Sequence, residues 1–241
     1  MRRIKVVAHV HSEWSYDASW SLHALARSFS RRGYDAVLMS EHDQGFDDER
    51  WQAFRGACAA ASTSSLLLVP GLEYGDADNV VHIPVWGDVP FLGSGKEPIE
   101  LLRRASDVGG FTAFAHPWRR EAWRRFDTEW LPHLSAVEIW NRKYDGWAPR
   151  REAVAFARAH GLRQFVSLDF HTRRQFFPLG LALEIDGAVT CAAVHDALHV
   201  GRYEPLAFST SALRFTGGMA ERALAAIESA RRHAAALLRG R

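Results

Sequence analysis

Pairs of ionisable side chains end two of the apolar runs in this sequence. The run KVVAHVH ends on His9 and His11, and the run FVSLDFH ends on Asp169 and His171. Residues two apart on a β-strand point to the same face, so the two members of each pair can hold one ion. Buried imidazoles and carboxylates are costly unless they are paired or bind a metal. The pairs therefore indicate a metal site, with a structural histidine held by hydrogen bonds as the alternative.

Other apolar runs carry ionisable residues at the same point. They end on Glu41 and His42, on Glu73 and on His116, and one passes through Glu138 to Asn141. Imidazoles mixed with carboxylates, without thiolates, suit Zn, Mn or Fe in a hydrolytic site. Two or three such ions would bind a phosphoryl group and lower the pKa of a bound water. We expect Glu138 and Asn141 to lie behind the ligands or to orient a substrate.

Apolar runs of strand length alternate with helix-like segments along most of the chain. Apolar residues at helical spacing predict helices at 21–32, 47–62, 96–107, 149–160 and 218–238. The runs between them are typical of buried parallel strands, so the alternation predicts an α/β fold with a mostly parallel sheet. Six or seven such units predict closure into a barrel, whose active site would lie at the carboxyl ends of the strands.

Composition narrows the classes of protein to which the chain can belong. It has 241 residues, 47% of them hydrophobic, and a formal net charge of +2, which excludes a disordered polyelectrolyte and gives no reason to expect a stable nucleic-acid partner. This length suits one α/β barrel or two domains about equally, and no linker favours two. No apolar stretch is long enough for a signal peptide or a membrane span, so we expect a cytoplasmic protein without a membrane partner. Cys58 and Cys191 are expected to pack as small apolar residues.

Seven short motifs follow one another in an order typical of one family. HVHSEWSYD, SEHD, GLEY, the histidine of VVHI, AHP, VEIWN and SLDFH resemble the motif series of the PHP (polymerase and histidinol phosphatase) superfamily of metal-dependent phosphoesterases. The resemblance covers residues 5–185. It implies one PHP-type domain over 1–241, a distorted (β/α)7 TIM-like barrel with two or three divalent metal ions at the carboxyl-terminal rim of the strands. Segment 218–238 would be a C-terminal packing helix, with oligomerisation as the alternative.

The resemblance also implies which side chains bind each metal. The three sets are His9, His11, Glu73 and Asp169 for the first metal, a shared Glu73 with His82 and His116 for the second, and Asp17, His42 and His171 for the third. The catalytic residues would be His9, His11, Glu73, Asp169 and His171. A hydroxide bridging two of the ions would attack phosphorus.

Three positions in these motifs leave alternatives open. Asp17 could instead cap the helix predicted from residue 21. His82 lies in an extended segment and could be a structural histidine. The family usually has Asp where Glu41 precedes His42, so this chain has one more methylene beside a ligand, which can change the hydrogen bonds behind it.

Arginines follow the ligand motifs in the loops beyond the strands. The candidates for binding substrate are Arg119, Arg120, Arg142 and Arg173. Arginine matches phosphate bidentately, so we expect one or two of them to bind a small phosphorylated substrate and the others to be surface charge. Trp14, Trp118 and Trp140 could stack on a base, which favours a nucleotide slightly, although packing is the simpler role for a tryptophan at this position.

The sequence thus predicts a metal-dependent phosphoric ester hydrolase, either a phosphomonoesterase or a phosphodiesterase. An amidohydrolase-type enzyme that cleaves a C–N or carboxylic ester bond is the alternative. A catalytic lysine between two metals would favour that alternative, and of the three lysines only Lys143 lies near the predicted rim. A non-catalytic module with the same fold would require missing ligands, and none is missing from the motifs.

Overall fold

Strands and helices alternate through most of the computed structural model, which describes residues 1–239. The strands are β1 (Arg2–Val10), β2 (Ala36–Met39), β3 (Glu41–His42), β4 (Leu67–Val69), β5 (Gly71–Gly75), β6 (His82–Trp86), β7 (Phe111–Phe114), β8 (Ala136–Asn141), β9 (Arg163–Ser167), β10 (Leu179–Ile185), β11 (Tyr203–Ala207) and β12 (Thr210–Ser211). The helices are α1 (Leu22–Ser30), α2 (Asp48–Ala61), α3 (Pro98–Asp107), α4 (Arg142–Asp145), α5 (Arg151–Ala159), α6 (Cys191–His199) and α7 (Gly218–Arg239).

The strands form two sheets of six, so the fold is mixed α/β. One sheet has the order β12-β11-β10-β1-β2-β4 and the other β3-β5-β6-β7-β8-β9. The prediction of a mostly parallel sheet is wrong. β6 runs antiparallel to both of its neighbours, and β10 runs antiparallel to β1 and β11. The short connection between β5 and β6 leaves no room for the crossover that a parallel pair requires.

Backbone hydrogen bonds connect the two sheets. Leu168 and Phe170, just after β9, donate their amides to the carbonyls of Ala8 and His9 in β1 at 3.1 and 2.9 Å. Single residues, Ser40 and Pro70, separate β2 from β3 and β4 from β5. Each of these strand pairs therefore continues from one sheet into the other. Closure into one seven-stranded barrel stays a prediction.

Local signals in the sequence explain where the first helices begin. Ser21 caps α1 by accepting a hydrogen bond from the Ala24 amide at 3.3 Å, and Asp47 caps α2 through the Arg50 amide at 2.8 Å. Because Ser21 caps α1, the carboxylate of Asp17 is not needed for that role. The apolar face of α1, which includes Leu25, is buried against the sheet.

The last helix packs through charged contacts as well as through Leu224, which is partly buried against the core. Glu221 of α7 pairs with Arg151, and Glu228 accepts a hydrogen bond from the amide of Trp147 at 3.1 Å.

In the described part of the chain, no helix is long and apolar enough to cross a bilayer. Cys58 is buried as expected, whereas the expectation for Cys191 is wrong, because it starts α6 on the surface and is exposed.

Candidate metal centre

The predicted ligands lie where strands of both sheets end. His9 occupies an irregularity of β1, where the pairing with β2 shifts between Ala8 and Val10. His9, His116 and Asp169 also have positive φ values of 62°, 28° and 48°. Such backbone is unfavourable for residues other than glycine and concentrates at functional sites. In β1, the irregularity bends the strand and turns the side chain of His9 toward the site.

Two groups of potential ligands lie in the buried part of the site. In the first, the Nε2 atoms of His9 and His11 are 4.0 and 3.6 Å from Asp169 Oδ1. In the second, the Nε2 atoms of His9 and His116 are 3.1 and 3.0 Å from Glu73 Oε1. All five side chains are buried. His9 therefore belongs to both groups.

Glu73 is the carboxylate that these histidines share. Besides His9 and His116, its oxygens lie 3.1 Å from His42 Nδ1, 2.9 Å from His82 Nδ1 and 3.6 Å from His11 Nε2. Burial raises the pKa of Glu73, but the charges of His82 and His9 and hydrogen bonds from neighbouring histidines outweigh it and hold this pKa well below its usual value. Glu73 is thus an ionised carboxylate that can bridge two cations.

A third group lies on the solvent side of the site. It contains His11, Asp17, His42 and His171. Asp17, with 33% of its side chain exposed, has its two oxygens 3.3 Å from His42 Nε2 and 2.9 Å from His171 Nε2. His11 thus joins the set predicted for the third metal. His82 lies outside all three groups, although it contacts Glu73.

Hydrogen bonds behind the ligands fix the orientation of two histidines. His9 Nδ1 donates to Glu138 Oε1 at 2.8 Å, and Glu138 in turn accepts from the amide of His116 and from Asn141 Nδ2, both at 2.8 Å. Glu138 and Asn141 therefore lie behind the ligands. The hydrogen bond from Nδ1 to Glu138 fixes the ring of His9 so that its Nε2 atom faces the site.

Glu41 orients His11 in a similar way. The Ser15 hydroxyl donates its only proton to Glu41 Oε2 at 2.5 Å, so it must accept from His11 Nδ1 at 3.2 Å. Glu41 also accepts from the amide and hydroxyl of Ser12 at 3.0 and 2.6 Å. Glu41 is buried and lies behind the site rather than in it. Its longer side chain therefore supports the loop that follows β1.

The inward-facing histidine nitrogens need a cation. The Nε2 atoms of His9 and His11 are buried and have no hydrogen-bond partner among the described residues, while carboxylate oxygens lie 3.1 and 3.6 Å away. Lone pairs on both sides of such a gap repel unless a proton or a metal ion lies between them. Imidazole nitrogens with carboxylate oxygens fit divalent Zn, Mn or Fe.

Protonation differs among these histidines. Burial lowers the pKa of His9, but the charges of Glu73, Asp169 and Glu138 outweigh it and hold this pKa well above its usual value. Against the same effect of burial, hydrogen bonds to Asp17 and Glu73 raise the pKa of His42 to about 10. Burial and the neighbouring His171 and His42 instead lower the pKa of His11. Protons therefore compete with metal ions at His9 and His42.

Two side chains that were not among the predicted site residues reach the site. Lys143 Nζ lies 3.2 Å from Asp169 Oδ1 and 3.2 Å from His171 Nε2. Tyr16 stacks on His42 with ring centroids 4.9 Å apart, and 67% of Tyr16 is exposed. Tyr16 lies within the first motif, directly before Asp17, and Lys143 follows the motif VEIWN by two residues. That proximity is the sequence signal for both.

The four predicted arginines lie in different surroundings. Arg119 donates to the Tyr144 hydroxyl through Nε at 3.1 Å, and its Nη1 lies 3.3 Å from His82 Nε2. Arg120 contacts the carbonyl of Asn79, and Arg142 packs over Phe177 and donates to the carbonyl of Arg174. Arg173 is exposed in a 3-10 turn. Only Arg119 contacts a predicted ligand.

The tryptophans near the rim have packing partners. Trp14 packs on Phe54 with ring centroids 5.3 Å apart, and Trp118 stacks on Trp123 at 6.0 Å. Trp140 is fully buried. These contacts support the packing role, and the exposed ring beside the metal centre is Tyr16 instead.

Solved structures with the same fold were found at low sequence identity. No protein-family model and no curated protein matches the chain. A two-domain protein from Bacteroides vulgatus containing a predicted PHP-like metal-dependent phosphoesterase is similar with a TM-score of 0.63 at 18% identity, over 86% of this chain and 65% of that one, slightly under two thirds of its length.

Two more solved structures share the fold. PsfC from Pseudomonas syringae has a TM-score of 0.64 at 17% identity, over 97% of this chain and 99% of that one. The lesion-specific endonuclease PfuEndoQ from Pyrococcus furiosus has a TM-score of 0.59 at 13% identity, over 85% of this chain and 58% of that one. The chain therefore has the fold of the PHP-like metal-dependent phosphoesterases, as the order of its motifs predicts.

Proposed function

We propose that this chain is a metal-dependent phosphoesterase that hydrolyses a phosphate ester of a small metabolite or nucleotide. The observation that carries this proposal is the buried carboxylate of Glu73, which lies within 3.6 Å of five histidine rings. A barrel fold gains no stability from collecting such groups at one end, so their presence points to function. In this proposal the substrate is a small phosphorylated molecule, and the protein acts in the cytoplasm without a membrane or a stable nucleic-acid partner.

The metal ligands in this proposal are those the motifs predict. They are His9, His11, Asp17, His42, Glu73, His82, His116, Asp169 and His171. Two or three divalent ions bound there would activate a water molecule and neutralise charge on the phosphoryl group. Glu138 directly, and Glu41 through the Ser15 hydroxyl, would hold the Nε2 atoms of His9 and His11 toward the ions.

Groups of the chain at the solvent side would orient the substrate. The guanidinium of Arg119 is held by the hydroxyl of Tyr144 and faces His82, which suits an anionic oxygen. We assign substrate binding to Arg119 first, and to Arg120, Arg142 and Arg173 only after rearrangement of their loops.

We also propose that the two sheets close into the predicted seven-stranded barrel through the hydrogen bonds between β1 and residues 168–170. A crystal structure would test this closure.

The direct test is hydrolysis by protein reconstituted with Mn, Zn or Fe. The panel should contain phosphomonoesters, nucleotide diesters and bisphosphates. We expect activity that chelators remove, and its loss in His9→Ala and Asp169→Ala with an unchanged circular dichroism spectrum. His160→Ala is the matched control, because His160 packs on Phe156 far from these groups. An inactive wild-type protein with two or more bound ions would refute the proposal.

A hydrolase acting on C–N or carboxylic ester bonds is the second candidate. The observation that favours it is Lys143, whose amine lies 3.2 Å from Asp169 Oδ1 in the site. Amides, lactones and aryl carboxylates therefore belong in the same panel. Turnover of these substrates, without turnover of any phosphate ester, would establish the second candidate.

A further inference from the structure

Lys143 lies at the solvent-facing opening of the candidate metal centre, which we call its mouth, and hydrogen bonds hold its backbone in place. It belongs to α4, which begins directly after the end of β8. The Asn141 side chain caps this helix by accepting the amides of Lys143 and Tyr144 at 3.1 and 3.3 Å. Asn141 is itself bound to Glu138, which orients His9. The backbone of Lys143 is therefore fixed by the same network that orients a predicted ligand.

The amine of Lys143 lies between the buried and the exposed parts of the site. Asp169, 3.2 Å away, belongs to the buried group with His9 and His11. His171, also 3.2 Å away, belongs to the solvent-side group. The Lys143 side chain is 27% exposed, whereas that of Asp169 is 2% exposed. The ammonium is thus accessible to a substrate that arrives from solvent.

Its surroundings would accept an anionic group. Arg119 and Tyr144 line the same mouth, since Arg119 donates to the Tyr144 hydroxyl and the amine of Lys143 lies 5.5 Å from the centre of the Tyr144 ring. An ammonium is a compact charge with three donors on a flexible stem, so it can turn from Asp169 toward an incoming oxygen.

We propose that Lys143 binds an anionic oxygen of a terminal phosphate group and so makes this site select phosphate monoesters over diesters. The inference rests on the proposed phosphoesterase function. A terminal phosphate carries close to two negative charges at neutral pH, and three of its oxygens can accept hydrogen bonds. A diester has only two non-bridging oxygens and one negative charge. A charged donor at this point therefore stabilises the bound monoester more than the bound diester.

The test compares Lys143→Met with Lys143→Arg and with Lys96→Met as the matched control. The Lys96 amine pairs with Glu100 on the surface at 3.3 Å, so its loss removes the same charge away from the site. Metal content, binding of inorganic phosphate by calorimetry, and kcat and KM for p-nitrophenyl phosphate and bis(p-nitrophenyl) phosphate are measured for each variant.

We expect Lys143→Met to keep its metal, to bind phosphate about 10- to 100-fold more weakly, and to raise KM for the monoester by a similar factor while the diester changes less than about threefold. Lys143→Arg should recover most of the phosphate affinity. Equal effects on both esters would overturn the inference, as would loss of metal with unchanged phosphate affinity per bound metal. If the metal-loaded wild type hydrolyses no phosphate ester of the panel described above, the proposed function fails, and the phosphate titrations alone decide the role of Lys143.

Discussion

Histidines collect at both ends of the strands, but their neighbours differ. At the carboxyl ends, His9, His42 and His116 each contact the buried carboxylate of Glu73. Before β7, β8 and β9, a cleft of about 400 Å³ is lined by His133, His160, His199 and ten other residues, none of them Asp or Glu. All groups of three or more potential metal ligands in residues 1–239 lie at the carboxyl ends.

Two of the histidines at the amino ends have neutral partners. His160 packs between Phe126 and Phe156, with ring centroids 4.7 and 4.6 Å away. His199 Nε2 lies 2.9 Å from the carbonyl oxygen of Gly109. The comparison indicates that buried carboxylates, and not the number of imidazoles, distinguish the candidate metal centre from this cleft. A buried carboxylate whose charge is not neutralised by Lys or Arg is what creates the demand for cations.

The largest expected effect is that of removing the shared carboxylate. Glu73→Gln keeps the volume but replaces one oxygen by an NH2 group that cannot accept hydrogen bonds or bind a metal. We expect metal content to fall and kcat/KM to drop by more than the roughly 100-fold that loss of a group behind the ligands costs. Metal analysis and single-substrate kinetics measure this. A Glu73→Gln protein that keeps full metal content would contradict the shared role.

The next effect concerns the support behind one ligand. In Glu138→Gln the amide presents an NH2 group either to His9 Nδ1 or to the donors from His116 and Asn141. At least one of these three hydrogen bonds must be lost, so we expect a decrease of about 10- to 100-fold in metal affinity or activity. Metal titration of the chelator-treated protein measures it, and wild-type affinity would show that Glu138 does not orient His9.

Sequence patterns identified the site because its chemistry is local. Apolar runs that end in paired ionisable residues mark His9, His11, Asp169 and His171, and the structure brings all four together. The alternative that Asp17 caps α1 is wrong, because Ser21, which lies next to the helix, is the cap, and Asp17 lies with His42 and His171. Such short-range relations depend on spacing along the chain, which the sequence shows directly.

Strand direction and loop orientation could not be predicted in this way. An apolar run such as that of β6 reads the same in a parallel and an antiparallel sheet, because burial on both faces hides the direction of its neighbours. Arg142 and Lys143 are consecutive, yet Arg142 packs over Phe177 while Lys143 reaches Asp169. Which of the two enters the site is set by α4 and its cap, through contacts that the motif does not contain.

A smaller effect should appear in the pH dependence of the metal-free protein. Interactions with Asp17 and Glu73 raise the pKa of His42 from 6.5 to about 10, against the effect of burial. Stability gained by binding this proton is fully present below pH 6.5 and is lost as pH rises through 10. We expect the free energy of unfolding in urea with chelator to fall by more than about 1 kcal/mol between these limits.

The variant His42→Gln tests whether His42 causes this pH dependence, which is the slope of the free energy of unfolding against pH. The variant cannot hold the proton, so its stability should vary less with pH than that of the wild type. His199→Gln should show the wild-type slope, because His199 contacts a backbone carbonyl and no carboxylate. Equal slopes in all three proteins would mean that His42 is not the source of the pH dependence.

The smallest effects are expected at the amino ends of the strands. His199→Gln removes one hydrogen bond, to the carbonyl of Gly109 beside β7, and should lower the free energy of unfolding by about 1 kcal/mol or less. Metal content and kcat/KM should stay at the wild-type level, because no carboxylate of this cleft calls for a cation. Loss of metal on this substitution would mean that the two ends of the strands are coupled, and that the position of the carboxylates alone does not decide where metal binds.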